Sequence, residues 1–523
     1  MKKRFKWGLA LGLAIMLIVL AGCQAVGGLD VNKAVLSTLD VKSSEAKSSM
    51  SLELVPADSG LTAEDKQMID LINSISLTID SARTQDPNTG SIEGAVKVNG
   101  KQIPFHLSVD KDNLALSLEG MTQPVMIPLN GMEGMEGLTM TGLQMSNESA
   151  LKMAKDVGGF LIKHAPNPSS IALSSVTDKV NGESLSLQKL HIDIRGDELA
   201  GLVKGFLTSV SQDKEGLKEM IAAVYDVYYP IFESTFSQSG EDMGDMAAAF
   251  GTPESVLKDK DAAVTYLTDE ALKALNEFLP QYDDTVKEMM AEPDMSVILG
   301  KDTVLSLDFF LDSKLQIRKQ NMDLTIQIPQ GEGVPVKQVK VHSQSETWNV
   351  NQPVTVNKVD TSKGVWEPSL IGVTPGEVIR HLDAKSDLYR LLTEDAKITQ
   401  KQISLTTRQD AEDDEDYWYY PEAIIVNNTT MVPIKYVADQ LDAQLKWNGA
   451  TKQLSIVDDL KGTQIIIKEG SKQATIDGKA VTLTQPVINR DSTLYVPLRF
   501  VADAFGTKVN WDKSEQLVTI ERE

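Results

Sequence analysis

One stretch of about nineteen residues occurs twice near the C-terminal end of this chain. Residues 429–447 read TTMVPIKYVADQLDAQLKW and residues 493–511 read TLYVPLRFVADAFGTKVNW. Val432, Pro433, Val437, Ala438, Asp439 and Trp447 return as Val496, Pro497, Val501, Ala502, Asp503 and Trp511, at a constant offset of 497 − 433 = 511 − 447 = 64. A repeat of this kind restricts the fold strongly. Each copy must be one small unit that cannot bury its apolar face alone, so the two copies are expected to cover each other.

The order within each copy reads strand, helix, strand, turn, strand. Leu494–Val496 form a short apolar strand, and Pro497 is placed at the first helical position, where its missing N–H is not needed. Phe500, Val501, Ala504 and Phe505 make the inward stripe of the helix, and Gly506 ends it, since glycine enters the left-handed region freely. Val509 and Trp511 then open a strand, Asp512-Lys513-Ser514 turns it, and Leu517, Val518 and Ile520 return. Trp447 and Trp511 are expected to be large core plugs. Between the copies, strands with turns at Glu469-Gly470 and Asp477-Gly478 are predicted.

This pattern closely resembles the stalk domain named after the N-terminal domain of copper amine oxidases. The resemblance spans residues 403–523, with copies at about 427–457 and 491–521. Its motif positions are Val432, Pro433, Val437, Ala438, Trp447, Val496, Pro497, Val501, Ala502, Gly506 and Trp511. The first copy departs from the pattern, with Ile434-Lys435-Tyr436 for Leu-Arg-Phe and Asp442 where glycine is usual. Asp tolerates the left-handed state better than most residues. The resemblance implies a place in the envelope of Gram-positive, endospore-forming bacteria and contacts there with a wall polymer or envelope protein. It does not imply oxidation, because that chemistry needs three histidine ligands, two in a His-x-His pair. His106, His164, His191, His342 and His381 are scattered and read as isolated surface or partly buried residues.

The other end of the chain carries an address. Lys2, Lys3, Arg4 and Lys6 precede an apolar run ending at Leu20-Ala21-Gly22-Cys23, and Cys23 is the single cysteine of 523 residues. This grammar predicts a signal peptide over 1–22 and lipidation of Cys23. Resemblance to bacterial lipoproteins implies a diacylglycerol thioether and display on the outer side of the cytoplasmic membrane. With that sulfur used, the mature chain must fold by burying apolar surface alone. The 41% hydrophobic content allows two or three cores, and the net charge of −23 argues against a nucleic-acid partner.

A tether at 23–30 leads into a body predicted over 31–365. Period-two alternation at Met50–Leu54, Ile75–Ile79, Ile103–Val109 and Leu114–Leu118 predicts strands with one wet face, joined by turns at Asp86–Gly90 and Asn99-Gly100. From about residue 147 the apolar period becomes three and four, which predicts amphipathic helices, and strands return at 303–350. The fold class is therefore α+β, with a curved antiparallel sheet wrapped on helices from the middle of the segment. The layout resembles the half-barrel lipid carriers among lipoproteins, which implies an apolar or lipid ligand on the sheet. A connector over 366–402 follows, where Thr374, Pro375 and Glu377 predict a capping box opening one helix.

Three further features leave alternatives open. Met121, Met126, Met132, Met135, Met140, Met145 and Met153 read as a plain loop, an apolar lip over a pocket or a soft copper site. The acidic run Asp410–Asp416 lacks the spacing of a calcium loop and reads as a solvated linker. Tyr417, Trp418, Tyr419 and Tyr420 either pack the seam beside the stalk or stack on sugars. No nucleophile elbow, P-loop or H-E-x-x-H motif occurs, so no catalytic residue, metal or cofactor is assigned. A non-enzymatic binding or structural role is the expectation, against a wall-modifying enzyme with a cleft in the body, or copper handling by the methionines.

Overall fold

The computed structural model describes residues 27–129, 147–239, 256, 258–368, 373–407, 422–490, 492–512 and 514–522. The signal segment with Cys23, four of the seven clustered methionines, the acidic run and Tyr417–Tyr420 lie outside the described residues. The chain divides into two compact units, Met1–Leu116 with Ile127–Val359, and Ser117–Met126 with Asp360–Glu523.

The first unit is built on an eleven-stranded antiparallel half-barrel sheet. Its strands are β1 (Ser44–Pro56), β2 (Ser76–Asp86), β3 (Thr89–Val98), β4 (Lys101–Val109), β5 (Asn113–Leu118), β6 (Val125–Pro128), β7 (Ser170–Val180), β8 (Glu183–Arg195), β9 (Val304–Leu311), β10 (Ile317–Gln327) and β11 (Val336–Trp348). The order across the sheet is β6-β5-β4-β3-β2-β1-β11-β10-β9-β8-β7. The α+β class and the curled sheet agree with the sequence expectation. So do the turns: Asn99 and Gly100 both take positive φ, at 49° and 75°, in the β3–β4 hairpin.

One hairpin departs from the expectation of helices after residue 147: β7 and β8 pair along their whole length from Ser170↔Asp193 to Val180↔Glu183. The signal was present in Asn181-Gly182, another positive-φ pair, flanked by alternating residues.

The helices of this unit are α1 (Val31–Ser37), α2 (Ala63–Asn73), α3 (Asn147–His164), α4 (Leu199–Ser211), α5 (Lys214–Ser239), α6 (Lys260–Phe278), α7 (Tyr282–Met290) and α8 (Pro293–Ile298). The apolar stripe of α4, Leu199, Leu202, Val203, Phe206 and Val210, packs in one core with Leu190, Ile192 and Ile194 of β8 and Leu305, Leu307 and Leu311 of β9. Tyr282 of α7 donates its hydroxyl to the Ala200 carbonyl at 2.9 Å, and burial pushes the phenol up to about 12.

In the second unit the predicted single connector helix is two short ones, α9 (Pro375–Arg380) and α10 (Asp387–Arg390). Thr374 does cap α9, accepting from the Glu377 N–H at 3.1 Å. Its hydroxyl also donates to Asp459 at 3.0 Å, and the Glu377 carboxylate accepts from the Trp366 indole N–H at 3.4 Å. The turn Ser117–Met126 is tied here by backbone bonds from Thr122 N–H to His381 C=O and from Met126 N–H to Trp366 C=O, at 2.9 and 2.8 Å.

The rest of the unit is β12 (Lys401–Thr406), β13 (Ile424–Val426), β14 (Thr429–Pro433), α11 (Ile434–Gln440), β15 (Ala443–Asn448), β16 (Gln453–Asp458), β17 (Gln464–Lys468), β18 (Gln473–Ile476), β19 (Lys479–Thr482), β20 (Ile488–Arg490), β21 (Thr493–Pro497), α12 (Leu498–Phe505), β22 (Lys508–Asp512) and β23 (Leu517–Arg522). Three sheets result, ordered β12-β23-β22, β13-β14-β21-β20 and β15-β16-β17-β18-β19. One apolar core joins both copies, with Val432, Val437, Ala438, Val496, Val501 and Phe505 fully enclosed. Pro433 and Pro497 stand one place earlier than expected, each ending a strand and serving as N-cap of the helix that follows.

Candidate functional site

The paired registers of the body align one row of side chains across nine strands. Ile171, Ile192, Leu307, Met322, Ser343, Met50, Leu77, Val96 and Ile103 lie directly opposite one another in turn, and directly opposed residues share a face. At one end of this row Ile192 and Leu307 are buried in the helix-covered core. Beyond β11 the apolar face continues without belonging to that core, and Ile103 at the far end of the row is buried again. Met50 is 47% exposed and Ile75 39%. Leu52, Leu77, Ile79, Val96, Phe105 and Leu107 are half-buried.

Among the described residues, α1 and α3–α8 turn their apolar stripes to the core on β7–β10, while α2 packs against β1 and buries Ile69. A local device keeps the bare wing closely pleated. Gly94, opposite Phe105, leaves so little room that an added Cβ would stand 2.1 Å from the Thr78 carbonyl oxygen and 3.0 Å from the Phe105 ring. The ring thus fills the space of the missing side chain.

The opposite face of the same sheet is polar and laddered with charge. Both nitrogens of His191 meet carboxylates, Nδ1 at 2.8 Å from Asp308 Oδ1 and Nε2 at 3.2 Å from Asp193 Oδ2. Only the doubly protonated ring can donate to both, and the Asp308 bond raises the His191 pKa above its usual value, against partial burial. Ser170 and Ser306 donate to Asp193, and Lys189 lies 2.9 Å from Asp308. Burial acts most strongly on Asp193 and would raise it, but the Ser306 and His191 contacts together hold it below the usual range. Further along, His342 pairs with Asp323 and Lys340 with Glu53 at 3.1 Å. Two of the five histidines expected to be isolated, His191 and His342, are thus partnered by acids from neighbouring strands, a relation set by register, while His106 and His381 meet backbone carbonyls.

Converging acids and a histidine are what a wall-modifying enzyme would need, but these sit on an open sheet face. A cavity of about 550 Å³ lies elsewhere, between α3 and α5, lined by Phe160, Met220 and Lys163 among others. Beside it His164 is buried and held by Ser209 Oγ at 2.7 Å and Asp213 Oδ2 at 3.0 Å. Lys163 and the Gly216 N–H also converge on Asp213, and these bonds lower its pKa to about 2. This arrangement gives both ring nitrogens of a buried histidine a hydrogen-bond partner and ties helix ends together. Among the described residues no cluster of His, Cys, Asp and Glu forms a metal site. Met121 and Met126 fall in the second unit and Met153 in the first, and the Met121 sulfur accepts locally from the Leu118 N–H at 3.4 Å.

The second unit has an internal dyad. Val432 and Val496, the same position in the two copies, pair directly, flanked by Met431↔Pro497 and Pro433↔Tyr495. A second pair of equivalents closes the core: Arg522 Nη2 lies 2.9 Å from Asp458 Oδ2, both enclosed, while Nη1 donates to the Leu441 carbonyl at 2.8 Å. Burial pushes the Asp458 carboxyl up, opposed first by the Arg522 charge.

Other motif positions are less symmetric. Ala438 is enclosed but Ala502 is only half-buried. Gly506 takes φ +63° at the end of α12, and its counterpart Asp442 takes +54°, buried and paired with Lys401 at 3.0 Å. Trp447 and Trp511 are not core plugs. They are 47% and 43% exposed, and each stands near the end of an edge strand.

This arrangement is two copies of a strand-helix-strand unit about a dyad. Residues 413–520 match the family described as the copper amine oxidase N-terminal domain. The matched stretch is the repeated domain, and the body lies outside it. Comparison with curated proteins returns no match.

Proposed function

We propose that this chain is a lipid-anchored protein of the outer membrane face in a Gram-positive envelope, with a non-enzymatic binding role in which the body carries an apolar or lipid ligand. The observation that carries this reading is the row running from the covered core at Ile192 and Leu307 out to Met50 and Leu77, apolar except at Ser343. An exposed apolar sheet face is costly to leave in water and marks a binding surface. The lipobox at Leu20–Cys23 supports the anchor, and the matched accessory domain supports a structural role for the C-terminal unit toward a wall polymer or an envelope protein. Among the described residues no helix is long and apolar enough to cross a membrane.

The test is native mass spectrometry and organic extraction of the full protein purified from its envelope. A bound acyl-chain species in addition to the N-terminal lipid supports the reading. A protein that carries only its anchor overturns the ligand and leaves the structural role.

A further inference from the structure

β22 is the outer strand of the sheet β12-β23-β22, and among the described residues no strand lies on its far side. All five of its residues, Lys508-Val509-Asn510-Trp511-Asp512, are exposed. Val509 is 39% exposed and Trp511 43%, although each shares the face of buried partners on β23, Ile520 and Val518. An open edge bearing two large apolar side chains is a template for pairing.

The strand is also complementary to itself. Turned antiparallel about Asn510, it sets Val509 against Trp511 of a second copy on the apolar face, and Lys508 against Asp512 on the other, twice over. Aromatic to β-branched and opposite-charge cross-strand pairs are both favourable. The equivalent edge in the first copy, β15, reads Gln444-Leu445-Lys446-Trp447-Asn448. The same two-fold pairing there would place Lys446 against Lys446, which is the usual way an edge is protected. We propose that β22 is a self-pairing edge through which two copies of this chain associate as an isologous, two-fold dimer centred on Asn510, while β15 is guarded by its lysine. The pairing extends the three-stranded sheet into one of six and withdraws Trp511 from water.

The experiment uses the full chain in detergent, followed by sedimentation over a wide concentration range. A concentration-dependent dimer is expected, and Asn510→Lys, which copies the residue found at the same place in β15, should raise its midpoint by at least roughly tenfold without lowering the thermal unfolding temperature. Disulfide trapping gives a second readout, because Cα separations of about 4.5–5.5 Å across an antiparallel pair admit a disulfide. Asn510→Cys should cross-link at least about tenfold faster than Lys446→Cys, above the background of the parent chain with Cys23 alone. A chain that stays monomeric throughout, an Asn510→Lys variant that dimerises as before, or equal trapping at the two edges would each overturn the proposal.

Discussion

Asp458 and Arg522 hold the same position in the two copies, 522 − 458 = 64, and meet at 2.9 Å inside the shared core. The repeat thus does more than duplicate a shape. At this one position the copies diverged into opposite charges, and each charge is taken out of water by the other. Arg522 also lies over the Phe505 ring at 5.6 Å.

Removing one member of that pair leaves the other buried and unpaired, which costs about 3–5 kcal/mol. Arg522→Met is therefore expected to destabilise the second unit by about that much, and the double change with Asp458→Leu by distinctly less. Hydrogen exchange across β16 and β23 in the full chain reads the effect on this unit directly.

The His191 site makes the body sensitive to pH on the alkaline side. Its pKa is raised in the folded state, so its contribution is fully present below the ordinary value of 6.5 and lost as pH rises through the raised one. Thermal stability of the body should fall as pH rises above 6.5, and His191→Gln should flatten that slope.

Asp213 acts at the acid end. Lowered from 3.8 to about 2, it stabilises the fold above 3.8, and the contribution is lost as pH falls through about 2. Asp213→Asn should make the body less stable near neutral pH and less dependent on pH in acid, as followed by circular dichroism during an acid titration.

Gly94→Ala forces a Cβ against the Thr78 carbonyl, where the gap is only 2.1 Å and the neighbour is backbone. The β2–β3 pairing must shift, at a cost above about 2 kcal/mol. The unfolding transition assigned to the body should drop while that of the second unit stays in place.

Met50→Gln and Leu77→Gln test the bare wing. At half-exposed positions these changes should alter stability by less than about 1 kcal/mol. If the wing holds an acyl chain, the amount of extracted lipid should fall several-fold, which quantitative mass spectrometry would register.

Much of the architecture was legible because periodicity reports local environment. Alternation in Ile103–Val109 and Leu305–Leu311, spacing of three and four in Leu199–Val210, and Asn-Gly turns identify strands, helices and hairpins from near neighbours alone. The β7–β8 hairpin was passed over, although its Asn181-Gly182 turn carried the same signal. The connector looked like one helix because Val378, Ile379, Leu382 and Leu388 keep helical spacing, and spacing does not report the break after Arg380.

By itself, then, the sequence determined the two copies, their internal order, the left-handed ends at Asp442 and Gly506, and the α+β class of the body. Those follow from the backbone preferences and periods of consecutive residues. Only the tertiary structure decided that most of the described helices gather on β7–β10, that His191 lies between Asp193 and Asp308, that Trp447 and Trp511 stand at open edges, and that Asp458 faces Arg522. Each of these is a relation between residues distant in the chain, set by strand register and by the amount of apolar surface the helices can supply. Neither quantity is written in any short stretch of sequence.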